Sequence, residues 1–358
     1  MAAVLLTGHG GLDRLEYRTD VRVPRPGAGE VLVQVAAAGI NNTDINTRIG
    51  WYSKSVSAAT GEGGAAGFTA VEDSDASWSG GALEFPRIQG ADVCGRVVDV
   101  GEGVSADRIG ERVLVRNLLR TPVGYRPFEC WTFGSECDGG FAQFTVAPSR
   151  ETYAVRSALS DEELAAVPCA YSTAENMLQR SRTGAERVLV TGASGGVGLA
   201  AVQLAKRRGA TVTAVCSGAK ADAVREQGAH HTVERGADLV AALGRASFDV
   251  VLDLVGGPGF SALLDLLRTG GRYAVSGAIG GPVTEIDLRT LYLNDLTLLG
   301  CTFQEDEVFE SLIGYVERAE VAPVVSRTYP LAEIARAQED FLRKDHVGKL
   351  VLVPPSVP

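Results

Sequence analysis

The chain has 358 residues, 45% of them hydrophobic and 22% charged, which is a globular composition with material for two domains. Its formal net charge of −10 weighs against nucleic acid and anionic membranes as partners, because both demand a basic face. The six cysteines (94, 130, 137, 169, 216 and 301) form no C-x-x-C pair, which points to reduced thiols and a cytoplasmic location.

In chain order, "MAAVLLTGHGGLD" has only a short apolar run without a basic flank, and is expected to be a first strand rather than a leader or membrane span. "GEVLVQVAAAGI", "CGRVVDVGEGV", "GERVLVRNLL" and "GGFAQFTVAP" are further β-rich runs within the first 150 residues. From about 160 strands alternate with helices. The expected strands are 187–192, 211–216, 248–256, 271–277 and 296–302, with helices such as "LAAVQLAKRRGA" and "KADAVREQGA" between them. That alternation implies a parallel sheet covered on both faces. Two helical stretches, "EVFESLIGYVERAEV" and "PLAEIARAQEDFLRKD", precede a closing strand, "GKLVLVP". Residues 53–84 are rich in Ala, Gly and Ser and lack periodicity. A stretch of this length is either a lid or a disordered insertion, and its place in the chain leads us to expect a mobile flap.

"RVLVTGASGGVGLAAVQLAKRRGA" joins a buried-type strand to a Gly-rich turn and a helix. Gly192, Gly195 and Gly198 would let the backbone approach a pyrophosphate closely, and the helix N-terminus would offer free N–H groups to the anion. An NAD site usually carries an acid at the tip of the next strand, to bind the ribose 2′-hydroxyl. Here Ser217 and Gly218 occupy that tip and Lys220 follows, so NADPH is expected over NADH.

Taken together, these motifs resemble the medium-chain dehydrogenases/reductases, in particular the zinc-free quinone oxidoreductase (zeta-crystallin-like) branch. The resemblance runs from "VLLTGHGGLDRLEY" through "PRPGAGEVLVQVAAAGINNTD", "GADVCGRVVDVG" and "GASGGVGLAAVQLAK" to "PLAEIARAQEDFLRKDHVGKLVL". It implies an α/β protein with a GroES-like β-barrel catalytic domain (1–154, interrupted by 53–84, and again 305–358) and a Rossmann doubly wound parallel-sheet domain (155–304). It also implies a homodimer, and cofactor contacts from Thr173, Gly192, Ser194, Gly195, Gly196, Val197, Gly198, Ser217, Lys220, Gly277, Ala278, Phe303 and Lys349. A short-chain dehydrogenase would also fit "TGASGGVG", but it needs Y-x-x-x-K, and no Tyr here has Lys four positions later.

Zinc members of the family hold the metal with a Cys, a His and a further Cys or Asp. By motif position these fall on Asn41, Ala91 and Cys169, of which only Cys169 can ligate, so no zinc is expected. Only Cys130 and Cys137 occur where zinc members carry a structural lobe of four Cys. Without a metal an alcohol is hard to oxidise, whereas an electron-poor acceptor needs only hydrogen bonds to its oxygen. Asn41 and Tyr52 are the expected donors, with Asp44 beside them in a polar wall that the resemblance turns toward the nicotinamide. The first reading is therefore an NADPH-dependent reductase of quinones or enones acting on a small-molecule acceptor. The alternatives are an alcohol or aldehyde dehydrogenase and a weakly catalytic NADPH-binding protein.

Overall fold

The β-rich run near residue 30 forms the strand Glu30–Gly39, whose ten residues are mostly buried. It pairs antiparallel with Val93–Val100, with Phe144–Pro148 and with the closing strand Lys349–Val353. The last pairing sets Val351 against Gly39 and Leu352 against Ala38, bringing the closing strand beside this central one. Small residues in "VAAAG" permit this, since Ala37, Ala38 and Gly39 leave room for neighbours on both faces. The apolar core beneath includes Val33, Ile45, Phe133, Phe141, Leu331 and Leu350. These elements belong to one of two compact units in the computed structural model, which describes residues 1–356. This unit comprises Met1–Val56, Gly61–Cys169 and the chain from Phe309 onward.

The second unit comprises Ser57–Thr60 and Ala170–Val308. The changeover at 169/170 falls within the helix Pro168–Arg180, whereas the sequence places a boundary at 154/155. Six parallel strands follow in chain order: Arg187–Val190, Thr211–Cys216, His231–Glu234, Phe248–Asp253, Leu267–Val275 and Thr297–Gly300. Their spatial order is third, second, first, fourth, fifth, sixth, with every pairing parallel, so the strand order reverses beside the first strand. Buried Asp253 binds the first, fourth and fifth strands together at their C-terminal ends. It accepts hydrogen bonds from Thr191 Oγ1 and Tyr273 Oη, each at 2.5 Å, and from Val255 N at 2.9 Å.

Much of residues 53–84, expected to form a mobile flap, makes hydrogen bonds within the first unit. The Arg48 guanidinium, wholly buried, donates to Gly64 O at 2.7 Å, to Gly10 O at 2.8 Å and to Gln338 Oε1 at 2.8 Å. Phe68 N donates to Ile49 O, and farther on Trp78 N and Ser79 N donate to the side chains of Ser135 and Glu136. Only Ser57–Thr60 group with the second unit, where Thr60 N donates to Ile279 O. Among the described residues no helix is long and apolar enough to cross a membrane.

Candidate active site

The polar wall expected at residues 41–44 is the start of a helix, Asn42–Ile49. Asn41 stands at its N-cap in extended conformation, and Gly50 ends it in the left-handed region at φ 72°. The Asp44 carboxylate reaches back to accept the Asn41 backbone N–H at 2.7 Å, which satisfies a donor the helix cannot. The polar sequence NNTDINTR conceals this helix from apolar periodicity, and its caps are the signal that reveals it.

The Asn41 side chain joins a buried knot. Lys349 Nζ donates to Asn41 Oδ1 at 2.6 Å, to Asp92 Oδ2 at 2.7 Å and to Ile40 O at 2.9 Å. Asn41 Nδ2 in turn donates to Asp92 Oδ2 at 2.8 Å, and Asp92 Oδ1 accepts the Cys169 backbone N–H at 2.6 Å. Gly39 makes the knot sterically feasible, since a Cβ there would lie 2.6 Å from Asp92 Oδ2 and 3.0 Å from Lys349 Cε. An ammonium and a carboxylate removed from water must satisfy one another and their remaining hydrogen bonds, and here both do. Burial pushes the nearby Asp44 carboxyl up to about 7, against the opposing pull of the Asn41 N–H and of Lys349.

These contacts give three of the expected site residues structural partners. Asn41 directs its amide at Asp92 and, at 3.4 Å, at Gly39 O, and its carbonyl at Lys349, so it orders its neighbours instead of presenting a free donor. Lys349, expected at the cofactor, commits its ammonium to this knot. Asp44 caps a helix. Tyr52 keeps its phenol proton, because burial raises its pKa well above the usual range, and donates to Thr43 Oγ1 at 3.0 Å. A threonine hydroxyl that accepts one proton still has its own to donate, and Thr43 is half-buried where Asn41 and Asp44 are buried. The sequence did not single out Thr43 or pair Asp92 with Lys349.

A catalytic zinc does not fit these residues. Asn41 and Ala91 provide neither a thiolate nor an imidazole, and the Lys349 ammonium lies within hydrogen-bonding distance of Asn41. Among the described residues no group of three or more His, Cys, Asp or Glu side chains could hold a metal ion.

In the second unit the Gly-rich turn has the shape a pyrophosphate requires. Gly192 takes φ +58°, Gly195 caps the helix Gly196–Arg207, and a Cβ on Gly198 would come within 2.3 Å of Gly192 O. Ser194, Gly195, Gly196 and Val197 are half-buried on this turn, whose Ala193 N donates to Val215 O near the tip of the second strand. Ser217 and Lys220 follow that strand directly, flanking a short turn in which Lys220 N donates to Ser217 O. Gly277 and Ala278 follow the fifth strand, where Gly277 packs on Leu254 and Ala278 on Gly256. Thr173 is half-buried on the helix Pro168–Arg180, and Phe303 is buried just beyond the sixth strand.

Two family models match the chain: "Alcohol dehydrogenase GroES-like domain" over residues 27–157 and "Zinc-binding dehydrogenase" over 196–318. The quinone oxidoreductase of Rattus norvegicus is 30% identical across 99% of this chain and 98% of its own. The chain belongs to the medium-chain dehydrogenase/reductase superfamily, in its quinone oxidoreductase branch. Within that superfamily, the acryloyl-coenzyme A reductase of Metallosphaera sedula is 29% identical over 98% of this chain and 99% of its own. A crystal structure from Sinorhizobium meliloti 1021, provisionally named an alcohol dehydrogenase, is 45% identical with TM-score 0.87, covering 99% of this chain and 97% of that one. Like the other named members of the superfamily, the protein is an oxidoreductase with a GroES-like domain and a Rossmann domain.

Proposed function

We propose that this oxidoreductase reduces a quinone or an α,β-unsaturated carbonyl compound, without a metal, using a nicotinamide dinucleotide. The observation that carries the reading is the Lys349 ammonium held by Asn41 Oδ1 and Asp92 Oδ2, where zinc members would begin their ligand set. A positive charge fixed there opposes a divalent cation, and the two missing ligands leave nothing to compensate. With no Lewis acid, the acceptor must already be electron-poor, as quinones and enones are. The dinucleotide, when bound, supplies hydride.

The chain's own residues then have separable tasks. The turn from Gly192 to Gly198 holds the pyrophosphate, and Ser217 with Lys220 favours the 2′-phosphate of NADPH. Thr43, backed by the Tyr52 hydroxyl, donates a hydrogen bond to the acceptor oxygen as negative charge develops there. Asn41 is a positioning residue that fixes Asp92 and the start of the Thr43 helix. The names of the rat and Metallosphaera relatives, a quinone and a conjugated thioester, support this acceptor class.

We further propose a cytoplasmic homodimer. All six cysteines are unbridged. The strand Thr297–Gly300 ends the parallel sheet with one side unpaired, and Leu288, Tyr292 and Leu293 beside it are each more than 60% exposed. Pairing two copies of this edge would cover both features.

The S. meliloti structure favours a second reading, alcohol oxidation. The purified protein should be assayed with NADPH against quinones and enones, and with NADP⁺ against alcohols, alongside elemental analysis. Acceptor-dependent NADPH oxidation that is insensitive to chelators supports the first reading. About one zinc per chain, with chelator-sensitive alcohol oxidation, overturns it. Coenzyme binding without turnover on any acceptor would leave a binding protein.

A further inference from the structure

At the tip of the second parallel strand the sequence has no acid, but the fold brings one from the strand beside it. Thr211–Cys216 and His231–Glu234 pair in parallel register, Cys216 opposite Glu234. Glu234 is therefore the last residue of its strand at the same level as the tip. Arg235 N donates to Cys216 O at 2.8 Å, which fixes this register just where the strands end. The Glu234 carboxylate leans across Gly218, with Oε2 2.6 Å from where a Cβ on Gly218 would stand. A side chain at 218 would displace it, so the glycine is what admits the carboxylate to the tip.

A cavity of about 270 Å³ opens at this point, lined by Cys216, Gly218, Ala221, Arg225, Thr232 and Glu234 among others. Arg225 is already engaged, pairing with Asp222 and donating to Thr232 Oγ1 at 2.9 Å. The charge of Glu234 is felt at the cavity wall. Burial raises the Cys216 thiol above its ordinary value, Glu234 raises it further, and Arg225 and Lys220 pull it back.

In open α/β sheets the adenosine ribose sits at the end of the second strand, where a carboxylate accepts its hydroxyls and repels a 2′-phosphate. We propose that Glu234 is this carboxylate, delivered from the third strand, and that it is a specificity-determining residue for the coenzyme. It acts against Ser217 and Lys220, which favour the 2′-phosphate, and so holds the preference for NADPH low and keeps NADH usable. The inference rests on the dinucleotide reading of the Gly192–Gly198 turn.

The test is direct binding of NADPH and NADH, by fluorescence at one salt concentration, to the wild-type chain and to Glu234→Gln and Glu234→Asp. Glu234 is exposed at a strand end, so neither substitution threatens folding. Removing the charge should tighten NADPH by about tenfold and weaken NADH a few-fold. Glu234→Asp, which keeps the charge on a shorter arm, should stay close to wild type. Raising salt should narrow the difference between wild type and Glu234→Gln for NADPH. If both coenzymes bind and their ratio is the same in all three proteins, Glu234 has no such role and the dinucleotide reading survives. If neither coenzyme binds the wild-type chain, the dinucleotide reading fails and this inference falls with it.

Discussion

Lys349 Nζ lies 2.7 Å from the Asp92 carboxylate, and the two side chains are 5% and 0% exposed. Removing one member of such a pair leaves a charge in the interior without its counterion, which costs about 3–5 kcal/mol. Lys349→Met should lower the urea midpoint accordingly. Replacing both, as Lys349→Met with Asp92→Leu, should recover part of the loss. A double variant no more stable than the single one would show that Asp92 draws its stability from the Cys169 N–H instead.

Asp44 makes stability depend on pH in a direction unusual for a carboxylate. Its folded pKa of about 7 lies above the unfolded value of about 3.9. Between those limits the folded chain keeps a proton that the unfolded chain has released. Stability therefore falls as pH rises from about 4 to 7, by up to about 1.4 kcal/mol per pH unit, and levels off above. Lys349 and Asp92 are the charged groups that act on it. Asp44→Asn, neutral throughout, should lack this component. Parallel stability profiles for the two proteins from pH 4.5 to 8 would refute the raised pKa.

Thr43→Val removes the hydroxyl that would face the acceptor while conserving volume. On an enone, kcat should fall on the order of a hundredfold, with coenzyme affinity unchanged. Tyr52→Phe should cost less, because it removes only the group that supports Thr43. Asn41→Ala should lower both kcat and stability, since it strips a partner from Lys349 and from Asp92. Wild-type turnover in Thr43→Val would assign the proton to another group.

The edge strand is tested by charge. Leu293→Lys combined with Leu298→Lys should convert a sedimenting dimer to a monomer, because two copies would bring four ammonium groups into an apolar contact. A wild-type protein that sediments as a monomer at micromolar concentration would reject the assembly.

The Gly-rich turn could be recognised in the sequence because its geometry is local: Gly192, Gly195 and Gly198 lie within one strand–turn–helix. Most of the alternating second unit was legible too, but its third strand, His231–Glu234, was not. Asn41 was not, since its partners Asp92 and Lys349 stand 51 and 308 residues away. The expectation of a free amide donor treated the residue apart from its neighbours. Glu234 escaped notice because its strand, His231–Glu234, was not among those expected, and because register, invisible in composition, decides which residue ends beside Cys216. The helix Asn42–Ile49 was missed because its first turns carry few apolar residues to display a period.

Arg48 has a practical consequence for anyone reshaping this protein. Its guanidinium rivets together backbone at Gly10, backbone at Gly64 and the side chain of Gln338, and burial draws its pKa down to about 10. A deletion that removes Gly64 would strand a buried cation without one of its acceptors, whatever else the excised residues contribute. Shortening or loop grafting is therefore better confined to 72–74, beyond the rivet and ahead of buried Ala76, where the side chains are exposed. A chimera that imports 53–71 from a relative must also import a carbonyl at the position of Gly64, or exchange Arg48 for an apolar residue in the same step.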